Sequence, residues 1–221
     1  MTETLPQTRR LSSVELAHRY LSAKESVIRA GFAAEIDWQE DLLSSEWGET
    51  EFMREAAWVI LSSGFRESVV RNCFPGVSTA FLEWCSADRI LHRREACRAS
   101  ALRAFGHTGK VEAILTVVEQ VDSQGVEIIR DGLAGCGPDY LQRFPYVGPV
   151  TARHLAKNLG VAVVKPDRHL VRLANEFGQD SVEAMCDDIA TVVGDSVAVI
   201  DVVFWRYAVL TASEGNEKKA A

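Results

Sequence analysis

The stretch from Leu141 to Arg172, LQRFPYVGPVTARHLAKNLGVAVVKPDRHLVR, holds the residues best spaced for chemistry. Its pattern predicts a helix entering a four-residue hairpin, Pro145-Tyr146-Val147-Gly148, and a second helix from Pro149 to about Asn158. A hairpin between two helices turns backbone N–H groups outward with no intrahelical partner, which makes a seat for a phosphate. Val147, Gly148, Val150 and Thr151 are the candidate donors, with a monovalent cation able to share the hairpin carbonyls. Pro149 has no N–H and suits the first helical position. Asp167 follows, after Lys165-Pro166, at the mouth of a further helix. A phosphate grip with one placed carboxylate points to chemistry on a nucleic-acid backbone or base. Taken alone, Asp167 is more simply a helix N-cap. Both roles are compatible, because a helix N-terminus favours an ionised carboxylate.

Almost every other segment has helical periodicity and none alternates as a strand, so the expected fold is all-α. Ser12 and Glu15 predict a capping box opening a helix that ends near Gly31. Trp38 to Trp47 reads as a short helix or loop. Thr50 opens a helix ended or bent at Gly64. Further helices are expected at Arg66–Cys73, Val77–Trp84, Asp88–Phe105 and Lys110–Val121. Val126–Leu133 is helical or irregular, and Gly135–Pro138 breaks the chain before the hairpin. After Asp167, helices are expected to Gly178, over Ser181–Val193 and from Ser196 to about Ser213. The charged tail from Glu214 is expected to be disordered.

At 221 residues and 47% hydrophobic, the chain can bury a sizeable core. No apolar run is long enough for a membrane span, and MTETLPQTRR lacks a signal-peptide core. The expectation is an intracellular protein that avoids membranes. Cys73, Cys85, Cys97, Cys136 and Cys186 are scattered without a C-x-x-C pair, so neither disulfides nor a zinc or iron–sulfur site is expected. The net charge of −7 speaks at first against DNA. Its distribution reverses that. Arg89, Arg93, Arg94, Arg98, Arg103 and Lys110 face only Glu95 within their segment. Arg143, Arg153, Lys157, Lys165, Arg168 and Arg172 face only Asp167 within theirs. Such segregation can give an acidic protein a basic face.

Phe144-Pro145-Tyr146-Val147-Gly148-Pro149-Val150-Thr151-Ala152, with Asp167-Arg168-His169-Leu170-Val171-Arg172 after a loop, resembles the helix-hairpin-helix DNA glycosylase superfamily, with its endonuclease III-like fold. The family pattern is Leu-Pro-Gly-Val-Gly-x-x-Thr-Ala, then Asp-x-His-Val-x-Arg. The resemblance implies a two-lobed fold, with a helical barrel over 50–160 and a second lobe from 1–49 and 161–221. It implies a monomer on double-stranded DNA that releases a damaged, modified or mismatched base, with Asp167 stabilising the sugar cation. Val147, Gly148, Val150, Thr151, Arg153, His169 and Arg172 would bind backbone. His169 and Arg172 would orient the helix or touch phosphate rather than act in catalysis. Such an enzyme must extrude the base and plug the gap. Ile60-Leu61-Ser62-Ser63-Gly64 resembles the family's Leu-Leu-Ser-x-Gln segment, but Gly64 stands at the glutamine's place. Phe65 or Arg66 would then be the wedge, and Trp58, Trp84, Trp205 and Tyr207 are candidates for stacking, although aromatics at helical spacing are usually core.

Three departures bear on the chemistry. Tyr146 replaces the first hairpin glycine, which implies a strained or altered turn. Val150 stands where bifunctional members carry a lysine nucleophile, which implies release of the base without strand cleavage; Lys165 is the one reservation. Nothing after Cys186 could supply the four cysteines of the cluster that several members carry, so the implied enzyme has no redox or metal cofactor. The rival reading is a catalytically silent protein that uses the hairpin only to grip DNA. The Asp-x-His-x-x-Arg segment separates the two, since grip alone does not require it.

Overall fold

The Ser12 hydroxyl accepts the Glu15 N–H, and the Glu15 carboxylate accepts the Ser12 N–H at 2.9 Å, closing the expected capping box on α1 (Ser13–Arg29). This computed structural model describes residues 9–220, with side chains as far as 212. The described residues form α-helices and short 3₁₀ turns, with no strand among them. The fold is all-α. After α1 come α2 (Ala33–Leu42), α3 (Glu49–Ser62), α4 (Glu67–Ala80), α5 (Ala87–His92) and α6 (Arg94–Ala104). Then follow α7 (Thr108–Gln124), α8 (Val126–Cys136), α9 (Pro149–Asn158), α10 (Arg168–Glu176), α11 (Val182–Val193) and α12 (Val197–Ala220).

Four stretches differ from the sequence expectation, each for a local reason. Pro75 does not separate two helices: α4 runs through it, and the Thr79 hydroxyl donates to the Pro75 carbonyl at 3.1 Å. The helix expected over Asp88–Phe105 is broken at Arg93, whose φ of −116° and ψ of 21° are not helical. The approach to the hairpin is a 3₁₀ turn, Gly137–Arg143, rather than an α-helix, entered at Gly137 with φ 68°. The tail is helical through Ala220. One further turn had no sequence signal. Leu82, Glu83 and Trp84 all have positive φ (56°, 50° and 61°), a single left-handed turn built without glycine. The Trp84 indole donates to Ser78 at 2.9 Å and its ring stacks on Phe81, which anchors the turn.

Backbone contacts divide the chain into two units, Ser45–Leu159 and a discontinuous unit of Met1–Ser44 with Gly160–Ala221. In the contiguous unit α3 packs on α7 and α9, burying Phe52, Ile60, Ile114 and Leu155. In the discontinuous unit α1 packs on α11 and α12, burying Leu16, Tyr20, Val27, Met185, Ile200 and Phe204. Burial of this kind contributes about 1.5–3 kcal/mol per large apolar side chain, enough to fix helices that propensity alone would leave marginal.

Candidate nucleic-acid site

In the contiguous unit the hairpin begins with Phe144, buried against Phe52 at a ring separation of 5.4 Å. Tyr146 takes φ 61°, the left-handed conformation that a glycine would adopt without strain. Gly148 caps α9 and Pro149 begins it. Two of the four expected donors are engaged inside the turn. The Val147 N–H donates to the Phe144 carbonyl at 3.2 Å, and the Gly148 N–H donates to Thr151 Oγ1 at 2.7 Å. Of the four candidate donors, Val150 and Thr151 keep N–H groups in the first helical turn, beyond reach of an intrahelical acceptor. Val150 is 38% exposed. Arg153 is half-buried on the same helix, while Lys157 is buried.

The segment after α3 lies in the same unit and is tied to the hairpin through Lys110. This lysine is 2% exposed. Its ammonium donates to the carbonyls of Ile60 and, at 2.7 Å, Ser63. It also sits 5.3 Å from the centre of the Phe65 ring and 4.8 Å from that of Tyr146. Burial pushes its pKa down to about 8. Phe65 and Arg66 are exposed beyond the end of α3, as a wedge would need to be. Trp58 instead packs edge-on against Phe74 at 5.1 Å and is half-buried, the posture of a packing residue. The first basic segment is less available than its composition suggests. Arg94 pairs with Glu119 at 2.5 Å and lies 3.5 Å from Glu112, Arg98 pairs with Glu112, and Lys110 is buried.

In the discontinuous unit Asp167 is the N-cap of α10. Its Oδ1 accepts the N–H groups of His169 at 2.8 Å and Leu170 at 3.2 Å. Its Oδ2 lies 3.9 Å from the Lys165 ammonium. The carboxylate is thus fixed to the helix through Oδ1, while Oδ2 faces the Lys165 ammonium. The His169 ring accepts from Arg168 Nε at 3.4 Å, and burial holds its pKa below the ordinary value. A neutral His169 orients the turn better than it neutralises a phosphate. Arg168 and Arg172 are exposed. Arg172 and Tyr207 line a cavity of about 660 Å³ with His18, Arg19, Phe177 and Phe204. Trp205 lies on the same helix as Tyr207, its ring 4.7 Å from the Arg206 guanidinium. Arg206 is in turn held by both oxygens of Glu35.

Asp201 is the residue that sequence reasoning missed. It is 1% exposed on α12, and its carboxylate accepts the Lys165 N–H at 2.6 Å. That bond fixes the loop two residues before Asp167. The signal was present: Asp201 is the single acid in the apolar run Val197 to Trp205. Among the described residues, no group of three or more His, Cys, Asp or Glu is placed to hold a metal. None of their helices is long and apolar enough to cross a membrane.

No protein-family model matches this chain, and no curated protein does either. A solved structure does. The crystal structure of Methanocaldococcus jannaschii 8-oxoguanine glycosylase/lyase, in complex with a 15mer DNA containing 8-oxoguanine, matches with a TM-score of 0.59 at 16% identity. The match covers 83% of this chain and 94% of that one. Likeness at such low identity speaks for the backbone alone, and on that evidence the chain has the fold of a helical DNA glycosylase.

Proposed function

We propose that the protein is a DNA glycosylase of the helix-hairpin-helix superfamily, acting in base-excision repair on double-stranded DNA. The observation that carries this reading is the capped Asp167, held through Oδ1 by two backbone N–H groups with Oδ2 beside the Lys165 ammonium, at the head of a helix that bears exposed Arg168 and Arg172. The shared fold with a DNA-bound glycosylase/lyase supports it. In the proposed reaction the C1′–N bond of the target nucleotide breaks and its electron pair leaves with the base. The sugar becomes an oxocarbenium ion, and the Asp167 carboxylate stabilises that charge while orienting the water that attacks C1′. The Val150 and Thr151 N–H groups hold a phosphate, and Arg153, Arg168 and Arg172 supply further charge.

The same reading makes the enzyme monofunctional. Strand cleavage needs an amine that condenses with C1′, and Val150 cannot provide one. Lys157 is buried, and Lys110 is occupied by two carbonyls. Lys165, 3.9 Å from Asp167, is the remaining candidate. The test incubates the protein with duplexes carrying oxidised, alkylated, deaminated or mismatched bases, followed by alkali, with borohydride added in parallel. One or more bases should be released, with no strand cut before alkali and no trapped adduct. Asp167→Asn should slow release by roughly a hundredfold or more while duplex affinity is retained. Release at the wild-type rate by Asp167→Asn would leave Asp167 as a cap only, and an adduct lost in Lys165→Ala would make the enzyme a lyase.

A further inference from the structure

Three rings meet over Lys110 in the contiguous unit. Phe65 lies 6.0 Å from His107, and His107 lies 6.3 Å from Tyr146, each pair edge-to-face. Phe65 is braced from its other side by Phe105 at 5.2 Å. Phe65 and Tyr146 are nevertheless 42% and 43% exposed. The arrangement is costly for a merely structural patch. Tyr146 holds a left-handed backbone, a conformation that favours glycine. Lys110 is buried beneath the rings, against desolvation. Gly109 leaves room for the ring, since a Cβ there would come within 2.7 Å of Tyr146 Oη and turn the exposed tyrosine aside. The absence of a side chain lets the tyrosine ring lie over the first turn of α7.

We propose that Phe65, His107 and Tyr146 form a base-stacking platform, held from beneath by Lys110, that receives an unpaired nucleobase of DNA whose backbone is gripped at the hairpin. The proposal rests on the DNA reading given above and adds a site to it. A ring face takes any base without edge recognition, and aromatic residues next to a phosphate seat are the usual means of holding a strand that has lost a pairing partner. The ammonium contributes by fixing both outer rings at once through their faces, so that neither turns away when solvent is the only neighbour. Its two carbonyl bonds to Ile60 and Ser63 lock the end of α3 to the same point, which sets Phe65 relative to Tyr146. The segment after α3 and the hairpin thereby act as one surface, although 81 residues of sequence separate Phe65 from Tyr146.

Tyr146→Gly is the decisive variant, because it removes the ring while giving the hairpin the residue its backbone conformation prefers. Binding is measured by anisotropy on two short duplexes, one fully paired and one with 2-aminopurine opposite an abasic analogue. Wild type should bind the gapped duplex more tightly and quench the 2-aminopurine. Tyr146→Gly should bind the paired duplex within about twofold of wild type and lose about tenfold on the gapped one, the worth of one base–aromatic stack, with the quenching gone. Tyr146→Phe should behave as wild type, and Phe65→Leu should lose part of the preference. Equal affinity of Tyr146→Gly and wild type for the gapped duplex, or unchanged quenching, overturns the platform. A wild type that binds neither duplex overturns the DNA reading and the platform with it. A wild type that binds both, prefers the gap and releases no base supports the platform while removing the catalytic assignment.

Discussion

At the scale of single residues, two charged groups are placed against their solubility and define what the chain can do. Asp201 is buried to fix the loop before Asp167, and Lys110 is buried beneath exposed rings. Lys110 carries a consequence for pH. Its folded pKa of about 8 lies below its ordinary value of 10.5. Between those values the unfolded chain binds the proton and the folded chain does not, so stability rises with pH across that window. At neutral pH the buried charge is a penalty; above about pH 8 it is relieved. Unfolding free energies of wild type and Lys110→Met from urea denaturation should therefore diverge in favour of wild type from about pH 8 to about pH 10, by about 1 kcal/mol or more. Parallel pH curves would mean that the amine stays hydrated. Asp167 and the hairpin were legible in the sequence because both are local: a cap needs only its own next residues, and a turn needs only its own four. The partners of Asp201 and Lys110 were not. Each residue acts on a carbonyl or N–H that sequence separates from it by tens of residues, and periodicity does not report such partners.

At the scale of elements, local signals again decided what could be read. The α1 capping box, the start of α9 at Pro149 and the cap of α10 all matched their spacing. The engagement of a candidate donor inside the hairpin did not show, because whether the Gly148 N–H meets solvent or Thr151 Oγ1 depends on the rotamer of one hydroxyl. The left-handed turn after α4 was invisible for a different reason. Leu82, Glu83 and Trp84 have no propensity for positive φ, and only the buried Trp84 and Phe81 rings explain why the backbone accepts it. Glu83 is exposed in that turn, and its carboxylate makes one hydrogen bond with Thr79. Replacing Glu83 by glycine should relieve its strain at the expense of that exposed bond and a looser unfolded chain. The expected balance is a gain of about 0.5 kcal/mol in unfolding free energy, read from urea denaturation followed by tryptophan fluorescence. A loss of stability would show that the Thr79–Glu83 bond holds the turn.

At the scale of the whole molecule, a chain of net charge −7 is proposed to hold a polyanion. The resolution lies in which arginines are already paired. Arg94 and Arg98 are matched by Glu112 and Glu119, whereas Arg168 and Arg172 are exposed on α10. Duplex affinity should fall steeply with salt, and Arg168→Ala and Arg172→Ala should each lower the logarithmic salt slope by about 1. Arg94→Ala should leave the slope unchanged; a reduction equal to that of Arg172→Ala would move the DNA face to α6. The discontinuous unit has a different consequence, one that concerns synthesis. α1 and α2 leave the ribosome before the contiguous unit, while α11 and α12, which α1 packs upon, leave after it. The contiguous unit of Ser45–Leu159 emerges in between and needs no later residue to close its own core. Throughout that interval the face of α1 bearing Leu16, Tyr20 and Val27 has only its limited packing on α2 to cover it. The nascent chain therefore presents a folded domain tethered to an apolar helix whose main partners are still to come, so α1 is made before that domain and finds its place after it.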